Sequence, residues 1–229
     1  MKKKLFLITT IPNSLFFFKN QIKKLNQDFD VTLISSPGEK LESIAHNENV
    51  KYKSISMKRN ISINNDIISF IKFFWLFLIQ RPAVIHCNTP KAALLGLFSG
   101  FITRVPTRIY YIHGLRYEGE IEKKQKILIA IEKLCCFCAT DIIAVSNGVK
   151  QKAKENLTNK KISIIHNGSP NGLPVQDFLV ANYNKKKIYQ ELAISEEDFV
   201  FGFVGRLVGD KGINELVYAF NQLEQKILN

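Results

Sequence analysis

The chain has 229 residues, enough for one large domain or one and a half. Its apolar fraction of 46% supports a sizeable core and excludes a disordered chain. The net charge of +12 suits nucleic acid, an anionic bilayer or polyanionic substrates. The lysines are scattered, however, and no nucleic-acid recognition motif accompanies them.

The four cysteines are Cys87, Cys135, Cys136 and Cys138. Three of them lie within four residues, so they cannot make a spaced disulfide framework. They also lack the CxxC pairing of a zinc site, and no metal or cofactor is expected. They read as small core residues in a reducing compartment. Lys2, Lys3 and Lys4 precede an apolar run too short for a secretory leader. The most apolar stretch, residues 67–79, contains Lys72 and has about 13 residues, where a membrane span needs roughly 20.

Strand-like and helix-like segments alternate from the start. Residues 5–10 form a mostly apolar run, as a strand buried on both faces does. A helix over 14–26 follows, with Leu15, Phe18, Ile22 and Leu25 at helical spacing. Strand 31–35 closes at Pro37-Gly38, and helix 39–46 and strand 50–56 come next. Helix 64–80 ends before Pro82, which cannot continue it. Then come strand 83–87, helix 92–102, strand 107–112, helix 119–138, strand 141–145, helix 147–156 and strand 162–165. Residues 167–174 hold two Asn-Gly pairs and two prolines and read as a linker. Beyond it lie a helix over 183–192, a buried strand over 199–204 and a last amphipathic helix.

Strands separated by helices imply right-handed crossovers and a doubly wound parallel α/β sheet. The expected division is a Rossmann-like domain over 1–170, with a linker and the start of a second Rossmann-like domain over 171–229. Ligands of such sheets sit at the carboxyl ends of the strands. The residues there include Thr10, Asn13, Ser14, His86, Asn88, Thr89, Lys91, His113, Arg116 and His166. Asn13, Ser14, Asn88 and Thr89 can exchange hydrogen bonds with ligand hydroxyls, and Lys91 or Arg116 can meet a phosphate. Thr89 and Ser14 have a second reading as helix caps. His113 is followed by Gly114, which allows a ligand close to the backbone. His86 and His166 read as structural. Gly205, Arg206 and Lys211 lie in a glycine turn before a helix, where two cations can neutralise a diphosphate leaving group without a metal. The GxGxxG fingerprint is absent after the first strand, and so is the Walker pattern, which counts against a dehydrogenase and a P-loop NTPase.

The string FVGRLVGDKGINEL at 203–216 resembles the opening of the C-terminal domain of retaining family 4 glycosyltransferases of the GT-B fold. IIAVSNGV at 142–149, IIHNG at 164–168, VIHCNTPKA at 84–92 and IHG at 112–114 are similar to further stretches of that family, in the family's order. The resemblance implies that Arg206 and Lys211 clamp the donor's diphosphate, that His113 stands near the transferring sugar, and that the loop at 10–14 is on the acceptor side. It also implies a nucleotide-sugar donor and a glycan or polyprenyl-diphosphate-linked acceptor in polysaccharide assembly. The family's acidic E-x7-E element is not found before Asn229, so the chain is expected to be a fragment inactive alone. An alternative is a non-catalytic acceptor-binding subunit working with a separate donor-binding chain.

Leu15, Phe16, Phe17 and Phe18 sit beside Lys19, Lys23 and Lys24. Four large apolar residues in a row exceed one core-facing stripe. One or two are expected to be exposed and to touch an anionic membrane, as a peripheral protein at the inner face of the plasma membrane.

Overall fold

The computed structural model describes residues 2–58, 60, 62–172, 175–179, 184–195, 197–205 and 207–227. The chain divides into two compact units, residues 1–173 and 174–229.

The first unit is built on one seven-stranded sheet. Its strands are β1 (Lys3–Ile8), β2 (Phe29–Ser35), β3 (Lys51–Ser54), β4 (Val84–Asn88), β5 (Thr107–Ile112), β6 (Asp141–Ala144) and β7 (Ile162–Ser163). The order is β3-β2-β1-β4-β5-β6-β7, and every pair is parallel. This is the doubly wound α/β class. Strand order reverses beside β1, so the topological switch point lies between β1 and β4.

Alternate strand residues serve two cores, as the period of two requires. Phe6, Ile8, Ile34, Ile85, Cys87, Tyr110, Ile112 and Ile142 point to one face. Over it lie α3 (Ile63–Gln80), α4 (Pro90–Ile102), α5 (Glu122–Cys138) and α6 (Asn147–Asn156), through residues such as Phe73, Phe77, Leu97, Leu128 and Ala153. Leu5, Leu7, Val31, Leu33 and Tyr111 point to the other face, toward α1 (Gln21–Asp28) and α2 (Glu39–Asn47).

Helix α4 approaches the sheet closely because its inner side is small. A Cβ added at Gly96 would lie 2.8 Å from Cys87 Sγ, and one at Gly100 only 2.4 Å from Ile85 Cδ1. All four cysteines are buried and free, as small core residues. Burial pushes the Cys136 thiol up to about 12.

Three elements depart from the sequence expectation. The helix expected over 14–26 is split. Pro12–Phe18 is a 3-10 turn, Asn20 takes φ of 68°, and α1 starts at Gln21. In a 3-10 turn residues three apart eclipse, which puts Leu15 and Phe18 together in the core and leaves Phe16 and Phe17 exposed. Asn tolerates the left-handed conformation that breaks the helix. Secondly, α3 matches the helix expected over 64–80, but its 18 residues exceed the 13-residue apolar stretch read as too short to span a membrane. It is long and apolar enough to cross a membrane by those criteria alone, yet Ser69, Phe73 and Phe77 are buried in the protein. Thirdly, residues 199–204 form no strand.

In the second unit, a 3-10 turn at Val175–Phe178 precedes α7 (Lys185–Glu191), and the described residues between α7 and α8 (Ile213–Ile227) include one at Gly209–Lys211. Phe199 is 85% exposed, and Phe201 lies edge-on to Phe220 at 5.8 Å. A strand needs a hydrogen-bonded neighbour, and among the described residues none pairs with this segment. Apolar content alone suggested the strand.

Candidate active site

The switch point gathers the carboxyl ends of β1, β4 and β5. Thr10 follows β1, Asn88 ends β4, and His113 follows β5. His86, Asn88, Tyr111 and His113 share one side of the sheet, since each pair is two residues apart along its strand.

Asn88 is fully buried and its amide is fixed. Its nitrogen faces three acceptors: Ile8 O at 3.2 Å, His86 O at 3.1 Å and His86 Nδ1 at 3.0 Å. The amide oxygen therefore faces Nε2 of His113, at 3.1 Å. That oxygen can only accept, so Nε2 of His113 carries the proton. The Nδ1 atom is then a bare acceptor. It is buried, and among the described residues nothing hydrogen-bonds to it. By the same reasoning His86 accepts at Nδ1 and is protonated at Nε2.

Both rings are neutral near pH 7. Burial lowers His113 to about 4. Burial, and then the neighbouring His113, lower His86 to about 4. Aromatic rings enclose the pair. Phe17 stacks on His113 at 5.0 Å, Tyr111 lies 4.6 Å from it, and Phe18 meets both imidazoles edge-on. Behind His86 and Tyr111, a largely apolar groove of about 780 Å³ runs along the sheet to Gly168 and Ser169. Gly168 takes φ of 89°, and a Cβ there would lie 2.3 Å from Val145 O, so the turn demands glycine.

Thr10 and Thr89 bind each other. The Thr10 amide donates to Thr89 Oγ1 at 3.0 Å, and the two hydroxyls are 2.7 Å apart. Thr89 donates to the Asn88 carbonyl, which leaves Thr10 as the donor between the hydroxyls. Thr10 Oγ1 also accepts from the Ala92 amide at 3.2 Å. Thr10 thus caps α4 from the neighbouring strand, and the Thr89 side chain does not cap it. Thr89 has φ of 67°, a strained value for a β-branched residue, at the reversal of the sheet. Ser14 caps no helix either. Lys91 is bound to Asp66 at 2.8 Å and ties α4 to α3.

Asn13 and Arg116 are exposed and Ser14 is half-buried, all beyond the carboxyl ends of strands. A Cβ added at Gly114 meets nothing within 4 Å, so the backbone beside His113 is open. In the second unit, Gly205 is exposed, and Lys211 ends the 3-10 turn at Gly209–Lys211. Gly212 follows with φ of 68°. Arg206 lies outside the described residues. His166, with φ of 48°, borders the apolar groove.

Sequence reasoning picked His113 and Asn88 separately and missed that one fixes the other. It also read His86 as an isolated structural histidine. The signal available was the alternation in residues 86–88 and 111–113, which puts these four side chains on one face.

The parallel seven-stranded sheet with helices on both faces defines a Rossmann-like unit of the GT-B kind. The profile of Glycosyltransferase Family 4 matches residues 18–169, and the chain belongs to that family. It is 37% identical over 234 residues to the capsular polysaccharide biosynthesis glycosyltransferase CapM of Staphylococcus aureus, covering 99% of this chain and 59% of that one. It is 28% identical to the Escherichia coli UDP-Gal:alpha-D-GlcNAc-diphosphoundecaprenol alpha-1,3-galactosyltransferase, covering 85% and 49%. The chain thus spans about half to three fifths of the length of these relatives. Anabaena HepE, solved with UDP-glucose, superposes with a TM-score of 0.72 at 15% identity, over 96% of this chain and 57% of that one. A glycosyltransferase from Rickettsia africae gives 0.67 at 16% identity, over 98% and 58%.

Proposed function

We propose that the first unit is the acceptor side of an enzyme that moves a sugar from a nucleotide-sugar to a lipid-linked or growing glycan acceptor, in assembly of a cell-surface polysaccharide. The observation that carries this reading is the neutral, tautomer-fixed His113 at the switch point of a family 4 sheet. Bare Nδ1 suits one task, accepting a hydrogen bond from a sugar hydroxyl. At neutral pH it has no proton to give, so His113 positions the sugar rather than protonating a leaving group. Phe17, half-exposed, stacks on the face of the ring and limits how the imidazole can turn.

Departure of the nucleotide is assigned to Gly205, Arg206 and Lys211, whose cations offset the diphosphate charge without a metal. Retention at the anomeric carbon is part of this proposal, supported by the likeness of residues 203–216 to retaining members of the family. Asn13, Ser14 and Arg116 meet the acceptor, whereas Thr10, Asn88, Thr89 and Lys91 hold the loops in place. The names of the relatives support a diphosphate-lipid acceptor and a UDP-linked donor. Such an acceptor puts the work at the inner face of the plasma membrane. The 229-residue chain alone transfers little. Supporting this, residues 199–204, which precede the phosphate-holding turn, are anchored in no sheet among the described residues.

The test is NMR of the chain labelled with 15N in its histidines, titrated with a short-chain polyprenyl-diphosphate N-acetylglucosamine. The His113 ring signals are expected to move while those of His46 stay. Unmoved His113 signals at saturating analogue would remove the acceptor reading.

A further inference from the structure

The outer side of the α3–α5 layer carries an apolar surface that the sugar-transfer reading does not use. These helices face the sheet with Phe73, Phe77, Leu97 and Leu128, yet their solvent sides are also hydrophobic. On α3, Ile71 is 47% and Trp75 57% exposed. On α4, Phe101 is 41% exposed, and on α5, Phe137 is 61% exposed. The patch is continuous across helices. Phe70 of α3 touches Phe98 of α4 at 5.4 Å, and Phe101 of α4 touches Phe137 of α5 at 5.5 Å. Scattered single apolar residues need no explanation, but a band over three helices marks a surface that something covers.

The charges choose the occupant. Along these three helices the exposed charged residues are Lys72, Lys123, Lys124, Lys126 and Lys133, against one acid, Glu122. Cations also lie over the band itself. Arg108 is 5.7 Å from the Phe101 ring and Lys160 5.9 Å from the Phe137 ring. A second copy of the chain would set these cations against their own kind, since a two-fold interface joins a patch to itself. Spanning is excluded, because Phe73 and Phe77 are 0% and 1% exposed and their withdrawal would strip the sheet. Aromatic and aliphatic side chains among lysines, on helices lying flat, match the headgroup boundary of an anionic bilayer.

We propose that the outer face of α3, α4 and α5 docks in the plane of an anionic lipid bilayer, with Trp75, Phe101 and Phe137 in the headgroup boundary. This face is separate from the short turn that carries the exposed Phe16 and Phe17. The inference stands apart from the transferase reading, because vesicles bind this face whether or not sugar is transferred.

Trp75 is the only tryptophan in the chain, so its fluorescence reports on this face alone. The 229-residue chain is mixed with phosphatidylcholine vesicles, with and without phosphatidylglycerol. With phosphatidylglycerol present, Trp75 emission is expected to shift to the blue and to be quenched by brominated acyl chains. Pure phosphatidylcholine should bind far more weakly. The variant K72E/K126E/K133E is expected to lose about 100-fold or more in vesicle affinity, since each lysine near such a surface is worth roughly five-fold. F16S/F17S is expected to bind as the parent does. Unquenched Trp75 in protein that floats with the vesicles would overturn the proposal, and so would no flotation at all. A stable dimer with Trp75 shielded in the absence of lipid would also overturn it, in favour of a second copy. The Trp75 measurement needs no variant, so a misfolded triple mutant leaves the proposal testable.

Discussion

Asn88 Oδ1 lies 3.1 Å from His113 Nε2, and that one contact decides which imidazole nitrogen holds the proton. The decision originates in backbone. The Ile8 and His86 carbonyls hold the Asn88 amide nitrogen and turn its oxygen toward β5. Imidazole 15N shifts of the wild-type chain are expected to show His113 neutral and protonated at Nε2. Asn88→Ala should give a mixture of tautomers. Asn88→Asp places a carboxylate against Nε2, so His113 should titrate well above its present value of about 4. A single tautomer persisting in Asn88→Ala would show that the ring is set by something else.

Acid should weaken the first unit through its histidines. His86 and His113 titrate at about 4 folded, against about 6.5 unfolded. Between these values the unfolded chain binds more protons, so stability rises with pH there. The contribution is complete above about 6.5 and disappears as pH falls to about 4. Each ring is worth up to about 3 kcal/mol. Urea unfolding across this window checks it, and His86→Gln should flatten the slope.

Glu132 should act in the opposite sense. It is buried on α5, receives a hydrogen bond from Tyr110, and is raised by burial to about 7 from 4.5. A raised carboxyl favours the folded state below about 4.5, and this contribution is lost as pH climbs through about 7. Glu132→Gln keeps a neutral partner for Tyr110 and removes the titration. Its stability relative to the wild type is therefore expected to grow from pH 4.5 to 7. A constant difference over that range would contradict the assignment.

Gly100 and Gly114 should respond in opposite ways to alanine. At Gly100 a methyl meets Ile85 at 2.4 Å, and overpacking there should cost about 1 to 3 kcal/mol. At Gly114 it meets nothing within 4 Å, so Gly114→Ala should leave stability nearly unchanged. Thermal unfolding separates them.

Thr10→Ala removes the cap that α4 draws from β1 and should cost about 1 kcal/mol. Thr89→Ala also breaks the hydroxyl pair, so the double mutant should cost less than the two singles added together. Additive losses would show that the pair does not act as a unit.

The centre of the sheet was legible because strands such as β1 and β2 are buried over most of their length and read as largely apolar runs, unlike the exposed β3. Residues 5–8 leave little choice. The turn at Pro12–Phe18 was not legible, because Leu15, Phe18 and Ile22 fit a single α-helical stripe as well as the broken path they follow. For residues 199–204 the apolar run was visible, but pairing depends on a neighbour, which one segment cannot reveal. At the site, His113 and Asn88 stood out because they end strands. Their hydrogen bond was hidden, because it depends on β4 and β5 being adjacent in register, with Asn88 opposite Tyr111.

The pairing of β1 with β4 also sets a schedule for synthesis. Leu7 sits beside His86 in the finished sheet, about 80 residues later in the chain. At a ribosomal rate of about 5 to 20 residues per second, one edge of β1 waits roughly 4 to 16 seconds for its neighbour to be made. During that interval Leu5, Phe6, Leu7 and Ile8 present an unpaired apolar edge. The nascent chain is therefore most prone to misassociate before α3 and β4 have emerged, and slowing translation ahead of residue 84 should increase its demand for chaperones.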